Sequence, residues 1–229
     1  MRLSAEEAAQ IQARFFAQVY GWMATGLGLT GGMALLAASS PALMEFVFGN
    51  RFVFFGLIIA ELVLVGFLSA RIFQWSRAQA QAAFIGYALL NGVTMSVIFL
   101  AYTADSIAST FFTTALMFGV MSAFGYFTKM DLSGWGKLLS MLLIGLVIAM
   151  VVNMFWGNSM LNLITSFIGV FLFTALAAYD TQKLKQIAFL GVTEGEEVGH
   201  KASILGALTL YLDFVNLFLF LLRFFGRRR

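Results

Sequence analysis

Seven long apolar stretches, separated by short polar or turn-forming segments, dominate this sequence of 229 residues. A helix needs about 20 mostly apolar residues to cross the hydrocarbon core of a bilayer, and each stretch has roughly that length. They lie at about 19–40, 52–70, 81–102, 107–128, 138–156, 161–182 and 203–223. The pattern predicts an all-α integral membrane protein: a transmembrane domain of seven transmembrane helices over 19–229, after an N-terminal cytoplasmic segment at 1–18.

The composition excludes several classes of protein. Hydrophobic residues make up 61% of the chain and charged residues 11%, whereas a soluble domain has roughly 25% charged residues. The chain has no cysteine and one histidine, which excludes thiolate metal sites, a cysteine nucleophile and the common hydrolase motifs. We therefore expect a lipid bilayer as the main partner, with no nucleic acid, no resident cofactor and no enzymatic activity.

The distribution of basic residues predicts the orientation. With a cytoplasmic N-terminus, seven spans place most basic residues on the inner side, as the positive-inside rule requires. These residues are Arg2, Arg14, Arg71, Arg77, Lys129, Lys137, Lys183, Lys185 and Lys201. The C-terminal cluster Arg223, Arg227, Arg228 and Arg229 is the exception. Either the last helix crosses the membrane despite this charge, or it is re-entrant and the tail is cytoplasmic.

The longest connection, at 183–201, is rich in glycine and charge. We predict a cytosolic loop there, with His200 exposed to solvent. Glu194, Glu196 and Glu197 lack the alternating ligand order and the sharp glycine turn of a calcium-binding loop. The acidic residues are therefore interpreted as solvated.

Three carboxylates lie at membrane depth, where ionisable groups are costly and usually functional. They are Glu61 in the second span, Asp180 near the cytoplasmic end of the sixth, and Asp213 in the seventh. Glu61 precedes Arg71, and Asp213 precedes Arg223, by the same interval, about 15 Å along a helix. If the antiparallel second and seventh spans are neighbours, Arg71 lies level with Asp213 and Glu61 level with Arg223.

The sixth span brings Asp180 to nearly the depth of Asp213. Two close carboxyl groups titrate as one unit, and a nearby arginine changes their proton affinity, so a proton-operated latch is chemically reasonable. The oxygen atoms of Asp180, Asp213 and Glu61 also suit transient contact with calcium, a hard cation. In the alternative interpretation, Asp180 caps its span, Asp213 is bonded to a serine or threonine, and neither has a gating role.

Four segments resemble the Bax inhibitor-1 family, also called the transmembrane Bax inhibitor motif family. The main one is AYDTQK at 178–183. The others are KMDLS at 129–133, LIGLVIA at 143–149 followed by Val152 and Asn153, and YLDFVNLF at 211–218. They occur in order along nearly the whole chain. The 183–201 connection is longer and richer in glutamate than in compact members of the family.

The resemblance implies a fold of six helices around a central C-terminal helix, and activity as a pH-sensitive calcium leak. It implies that Asp180 and Asp213 form the proton-sensing pair and that Arg71 latches it. Glu61 and Arg223 match a secondary ion pair. Similarity to bacterial members implies an inner (plasma) membrane location.

Two other functions are compatible with these residues. A non-conducting protein could bind other membrane proteins through its small-residue helix faces and so regulate a membrane protease or a stress response. An intramembrane aspartyl protease would also use two aspartates. Such proteases have a Gly-x-Gly-Asp motif, where this chain has Leu210-Tyr211-Leu212-Asp213. Carrier transport coupled to a driving ion also stays open.

Overall fold

A computed structural model describes residues 4–229, and most of them are helical. No β-strand occurs in this part of the chain. The α-helices are α1 Ala5–Ala38, α2 Pro41–Phe48, α3 Arg51–Arg71, α4 Arg77–Met95, α5 Ile98–Ala101, α6 Ala104–Phe127, α7 Trp135–Trp156, α8 Ser159–Ile187, α9 Leu190–Thr193 and α10 Glu196–Phe225. A 3₁₀ turn, Ile72–Gln74, follows α3.

Seven helical segments within residues 4–229 are long and apolar enough to cross a membrane. Each corresponds to one of the predicted stretches, so the predicted all-α membrane fold is confirmed. The third segment combines α4 and α5, and the sixth combines α8 and α9. The helices extend past the apolar stretches because their end turns are polar, and hydropathy does not register such turns.

The first helix begins well before the apolar stretch that predicted it. The Ser4 hydroxyl accepts a hydrogen bond from the Glu7 N–H, and the Glu7 carboxylate accepts one from the Ser4 N–H, at 3.2 and 2.8 Å. This reciprocal capping box starts a helix within the segment assigned to 1–18. Residues 1–3 of that segment lie outside the described residues.

The predicted loop at 183–201 is wrong for most of its length. Helix α8 continues to Ile187, α9 occupies Leu190–Thr193, and α10 begins at Glu196. The chain changes direction at Gly195, whose φ of +102° favours glycine. The polar residues in this segment interrupt the apolar pattern, but the backbone stays helical through most of them. The first connection also contains a helix, α2, which Ser40 caps and which Pro41 begins.

The chain divides into two compact units. The first comprises 4–101, 187–211 and 229 among the described residues, and the second comprises 102–186 and 212–228. In the first unit α4 packs against α1 and α3. Close approach of α1 and α4 needs Gly92, where an added Cβ would lie 2.7 Å from the backbone oxygen of Thr30.

The second unit contains α6, α7, α8 and the C-terminal half of α10. A Cβ at Gly125 of α6 would collide with the backbone oxygen of Ala178 on α8, so these helices touch backbone to backbone. Gly169 of α8 faces the Phe220 ring of α10 in the same way, with a distance of 2.6 Å from the position of an added Cβ. Small residues thus permit close helix packing in this unit.

Burial differs strongly among the seven candidate spans. In the last span, 72% of the most apolar window is buried, compared with at most 39% in any other. The α3 span has only 6% of its window buried and the α7 span 17%. Apolar side chains cover these exposed faces, which is the surface that lipid requires.

Candidate functional site

The carboxyl groups of Asp180 on α8 and Asp213 on α10 lie close enough to interact in the second unit. Asp213 is 5% exposed, and its Oδ2 atom has no hydrogen-bond partner. Two carboxyl groups can form a hydrogen bond only when a proton lies between them. A hydrogen bond between Asp180 and Asp213 would therefore join α8 to α10 through one shared proton.

The local sequence explains why these two carboxyl groups meet. Ala177 and Ala178 are small and buried, which lets α8 approach its neighbours just before Asp180. Phe214, next to Asp213, packs edge-on against Phe111 and Phe118, with ring centroids 5.4 and 5.5 Å apart. This aromatic packing fixes the rotation of α10 about its axis.

The hydroxyl group of Thr181, the residue after Asp180, is bonded elsewhere. Thr181 is fully buried and donates to the backbone oxygen of Ala177, 2.7 Å away, and it lies 3.2 Å from the Ser122 hydroxyl. In the second unit, the charged neighbour of Asp180 apart from Asp213 is Lys183. Lys183 was not predicted from the sequence as a neighbour of Asp180, although the two residues are less than one helical turn apart.

Glu61 lies in a separate polar cluster in the first unit. Its Oε1 atom accepts a hydrogen bond from the Thr94 hydroxyl at 2.6 Å. Tyr87 lies close to both Glu61 and Asn91, and the buried Oδ1 atom of Asn91 has no hydrogen-bond partner. Three polar side chains of α4 therefore accompany the Glu61 carboxylate. None of them was predicted from the sequence, because only charged partners were considered for Glu61.

The two predicted arginines lie at helix ends. Arg71 is exposed in the last turn of α3. Arg223 is exposed in the last turn of α10, where its Nη1 atom lies 3.7 Å from the Met150 sulfur. The pairs Arg71 with Asp213 and Glu61 with Arg223 each combine residues of different units, and both stay predictions.

No three histidine, aspartate or glutamate side chains within residues 4–229 form a cluster that could hold a metal ion. Of the three carboxylates predicted to contact calcium, Asp180 and Asp213 come together, and Glu61 belongs to the other unit. Two carboxyl groups offer too few ligands for the six to eight oxygen atoms of a resident calcium site. Transient contact with a permeant ion stays a prediction.

Two residues of the predicted solvated loop are instead held inside the first unit. Lys201 is 6% exposed, and its Nζ atom donates to the backbone oxygens of Phe73 and Trp75 at 3.2 and 3.1 Å. It also forms an ion pair with Glu197 at 3.3 Å. A lysine in this position satisfies the free carbonyls at the end of α3 and its 3₁₀ turn.

His200 is half-buried, so the prediction of a solvated side chain is wrong. Its Nε2 atom lies 3.0 Å from the side-chain nitrogen of Gln81, and its ring meets Trp22 edge-on. The imidazole lies in the packed first unit because α10 starts before it. Hydropathy could not show this, because it scores each residue without its neighbours in space.

A glutamine two residues after Asp180 holds the loop between α6 and α7. The Gln182 side chain accepts a hydrogen bond from the Leu132 N–H at 2.8 Å and donates to the Met130 oxygen at 2.7 Å. Both partners belong to the KMDLS segment at 129–133. Two of the segments that carry the family resemblance are therefore in direct contact.

Seven apolar helices and a buried carboxyl group, Asp213, in the last of them define the class of protein: a polytopic α-helical membrane protein with an ionisable group in its interior. The sequence model of the family described as "Inhibitor of apoptosis-promoting Bax1" matches residues 12–229. The chain belongs to this family, the Bax inhibitor-1 family.

Bacterial relatives match over nearly the full length of the chain. The inner membrane protein YbhL of Escherichia coli strain K12 is 54% identical, over 94% of this chain and 92% of that protein. A protein of Deinococcus radiodurans is 47% identical, over 91% and 88%. A membrane protein of Streptococcus pyogenes is 36% identical, over 93% of both chains. The name of the first relative agrees with the predicted membrane location.

Proposed function

We propose that this protein is a pH-sensitive cation leak channel, with calcium as the permeant ion and the Asp180–Asp213 pair as its gate. The observation that carries the proposal is the proximity of the two carboxyl groups, with Asp213 buried and its Oδ2 atom without a hydrogen-bond partner. We infer that the two groups share one proton. An ionisable pair of this kind is costly at membrane depth and marks a functional site by default.

Loss of the shared proton supplies the switch. Two ionised carboxylates in contact repel each other, and the repulsion is stronger among apolar side chains than in water. Deprotonation therefore removes the bond between α8 and α10 and replaces it with repulsion. Separation of the two helices would expose carboxylate oxygens, the ligand type that calcium prefers. The leak should accordingly increase as the pH rises.

The test is calcium entry into liposomes that contain the purified protein and an enclosed calcium dye, measured from pH 6 to 8. Wild-type protein should show a leak that rises with pH. Asp213→Asn and Asp180→Asn should each abolish the pH dependence, because an asparagine amide keeps a donor for the remaining carboxylate and cannot lose it by titration. Calcium entry no faster than in protein-free liposomes at every pH would contradict the proposal.

Asp131→Asn is the matched control. Asp131 is exposed in the loop before α7, and hydrogen bonds from Ser133 lower the pKa of its carboxyl group. This carboxyl group is thus ionised throughout pH 6 to 8 and cannot cause a change in flux over that range. The control should leak as the wild type does. If it changes the pH profile as much as Asp213→Asn, the aspartate pair is not the specific sensor.

We further propose a location in the bacterial inner membrane with a cytoplasmic N-terminus. The location is supported by the name of the Escherichia coli relative, an inner membrane protein, and the orientation by the distribution of basic residues. Seven full crossings then put the C-terminus outside. A reporter that is active only in the cytoplasm, fused after Arg229, should be inactive. Its activity would contradict seven full crossings from a cytoplasmic N-terminus.

A further inference from the structure

A polar cavity lies at the end of the second unit where α8 begins and α10 ends. Its volume is about 360 Å³, within the range of small-ligand sites. Six of its lining residues are polar or charged: Tyr102, Ser159, Asn162, Ser166, Arg223 and Arg228. Ser166 is 14 residues before Asp180 on α8 and Arg223 is ten residues after Asp213 on α10, about 21 and 15 Å along the helices. The cavity is therefore distinct from the aspartate pair.

The lining carries positive charge that the second unit does not neutralise. Two of the lining residues are arginines and none is acidic. Among the described residues of this unit, no carboxylate lies within 4 Å of either guanidinium. Arg223 instead contacts the sulfur of Met150 and lies over the Phe220 ring, 5.4 Å from its centroid. An anion in the cavity would supply the missing charge partner.

Backbone hydrogen bonds hold the second arginine at this cavity. The Thr103 N–H donates to the Arg227 oxygen at 3.1 Å, and the Arg227 N–H donates to the Ser106 hydroxyl at 2.9 Å. A bridge between Tyr102 and Arg228 continues this pairing. These contacts hold the C-terminal tail against the start of α6 and so position Arg228 at the cavity.

The polar groups of the lining include donors suited to an anion. The Asn162 Oδ1 atom already accepts a hydrogen bond from Asn153 at 2.8 Å, so the side chain of Asn162 offers its amide nitrogen. Guanidinium groups bind phosphate oxygens through paired hydrogen bonds, and hydroxyl and amide groups can complete the set. A phosphate group matches this combination of charge and donors.

The surface beside the cavity indicates the source of that phosphate. Leu163, which also lines the cavity, is 53% exposed, and Phe167, one turn further along α8, is 54% exposed. Phe224 of α10 is 41% exposed, and its ring centroid lies 6.4 Å from that of Phe167. An apolar strip therefore runs from the cavity along the lipid-facing side of the unit, where an acyl chain would lie.

We propose that this cavity binds the phosphate headgroup of an anionic phospholipid, with Arg223 and Arg228 as the anion ligands and the strip of Leu163, Phe167 and Phe224 against an acyl chain. Basic pockets between transmembrane helices bind anionic lipid headgroups in this manner. The site also gives a physical reason for arginines at the end of the last span, where the orientation rule disfavours them. It does not depend on the proposed leak.

Native mass spectrometry of the detergent-solubilised full chain, titrated with phosphatidylglycerol or phosphatidylcholine, tests the proposal. The wild type should bind phosphatidylglycerol more tightly, and Arg228→Gln should weaken that binding about tenfold, the loss expected for one charge-assisted contact. Arg227→Gln is the control, because it removes the same charge from the adjacent, non-lining position. Equal weakening in both variants, or no preference for phosphatidylglycerol, would overturn the proposal.

A competition arm separates a lipid from a free anion. Inorganic phosphate at millimolar concentration should not displace phosphatidylglycerol, because the apolar strip contributes only to the binding of a lipid. Full displacement would overturn the lipid assignment and make the cavity a site for soluble phosphate. Thermal unfolding of Arg228→Gln without added lipid checks its folding. If that variant is unfolded, Arg228→Lys, which keeps the charge but not the paired donors, should show an intermediate loss.

Discussion

The hydroxyl of Tyr211 on α10 donates a hydrogen bond to the hydroxyl of Thr30 on α1, 2.6 Å away. The direction follows from Thr30, whose own proton is used in a 2.9 Å bond to the backbone oxygen of Ala88 on α4. Tyr211 is fully buried, and its ring packs edge-on against Phe84 and Tyr87. Three helices of the first unit thus meet at one side chain, two residues before Asp213.

Tyr211→Phe should lower the free energy of unfolding by about 1 kcal/mol, because it removes one buried hydrogen bond and keeps the ring packing. Thr30→Val should cost more, since it leaves both the Tyr211 hydroxyl and the Ala88 oxygen without this partner. Thermal unfolding in detergent measures both. Tyr20→Phe is the control, because Tyr20 stacks on Phe16 and its hydroxyl forms no hydrogen bond within the described residues. Equal effects of Tyr211→Phe and Tyr20→Phe would contradict the role of the bond.

Lys201→Met should destabilise the protein by roughly 1 to 3 kcal/mol, because the backbone oxygens of Phe73 and Trp75 lose their donor. Glu197→Gln should cost about 0.5 kcal/mol or less, since its side chain is 62% exposed and surface ion pairs contribute little. Chemical unfolding in detergent compares the two variants. A larger effect from Glu197→Gln would mean that the ion pair, and not the carbonyl contacts, holds Lys201.

Gln182→Ala should loosen the loop between α6 and α7, since it removes the acceptor of the Leu132 N–H and the donor to the Met130 oxygen. Hydrogen exchange of the Leu132 amide, read by mass spectrometry, should become faster by about tenfold if one net hydrogen bond is lost. Gln186→Ala, at an exposed position one turn later on α8, should leave this exchange unchanged. Unaltered exchange in Gln182→Ala would show that the loop is held by other contacts.

Gly125→Ala should be strongly destabilising, because the added Cβ would collide with the backbone oxygen of Ala178. The only relief is movement of α6 away from α8, immediately beside Asp180. We expect a loss of several kcal/mol, as for other overpacked helix contacts. Gly119→Ala on the same helix has open space around the new Cβ, so it should be neutral or slightly stabilising. Thermal unfolding of the two variants makes the comparison, and equal effects would contradict this packing.

The sequence alone was sufficient for the class of fold, and it also predicted three carboxyl groups at membrane depth. Apolar length and the energetic cost of charge in lipid are properties of a short segment, so they can be read without a structure. Apolar length predicted all seven spans, and the cost of charge in lipid singled out Glu61, Asp180 and Asp213. The structure brings the last two close together, and their gating role stays a prediction. Helix ends were predicted less well, because the caps at Ser4 and Ser40 are hydrogen-bonding features and hydropathy ignores them.

Tertiary structure decided which polar residues are buried. The 183–201 segment has the composition of a loop, yet Lys201 is buried because the free carbonyls of Phe73 and Trp75, distant in sequence, need a donor. Thr94 is an ordinary helix residue in the sequence and becomes the partner of Glu61 only when α3 and α4 pack. Hydropathy is a local property of the chain and therefore determined the spans of this protein, whereas each polar partner depends on contacts between helices and was fixed only by the folded structure.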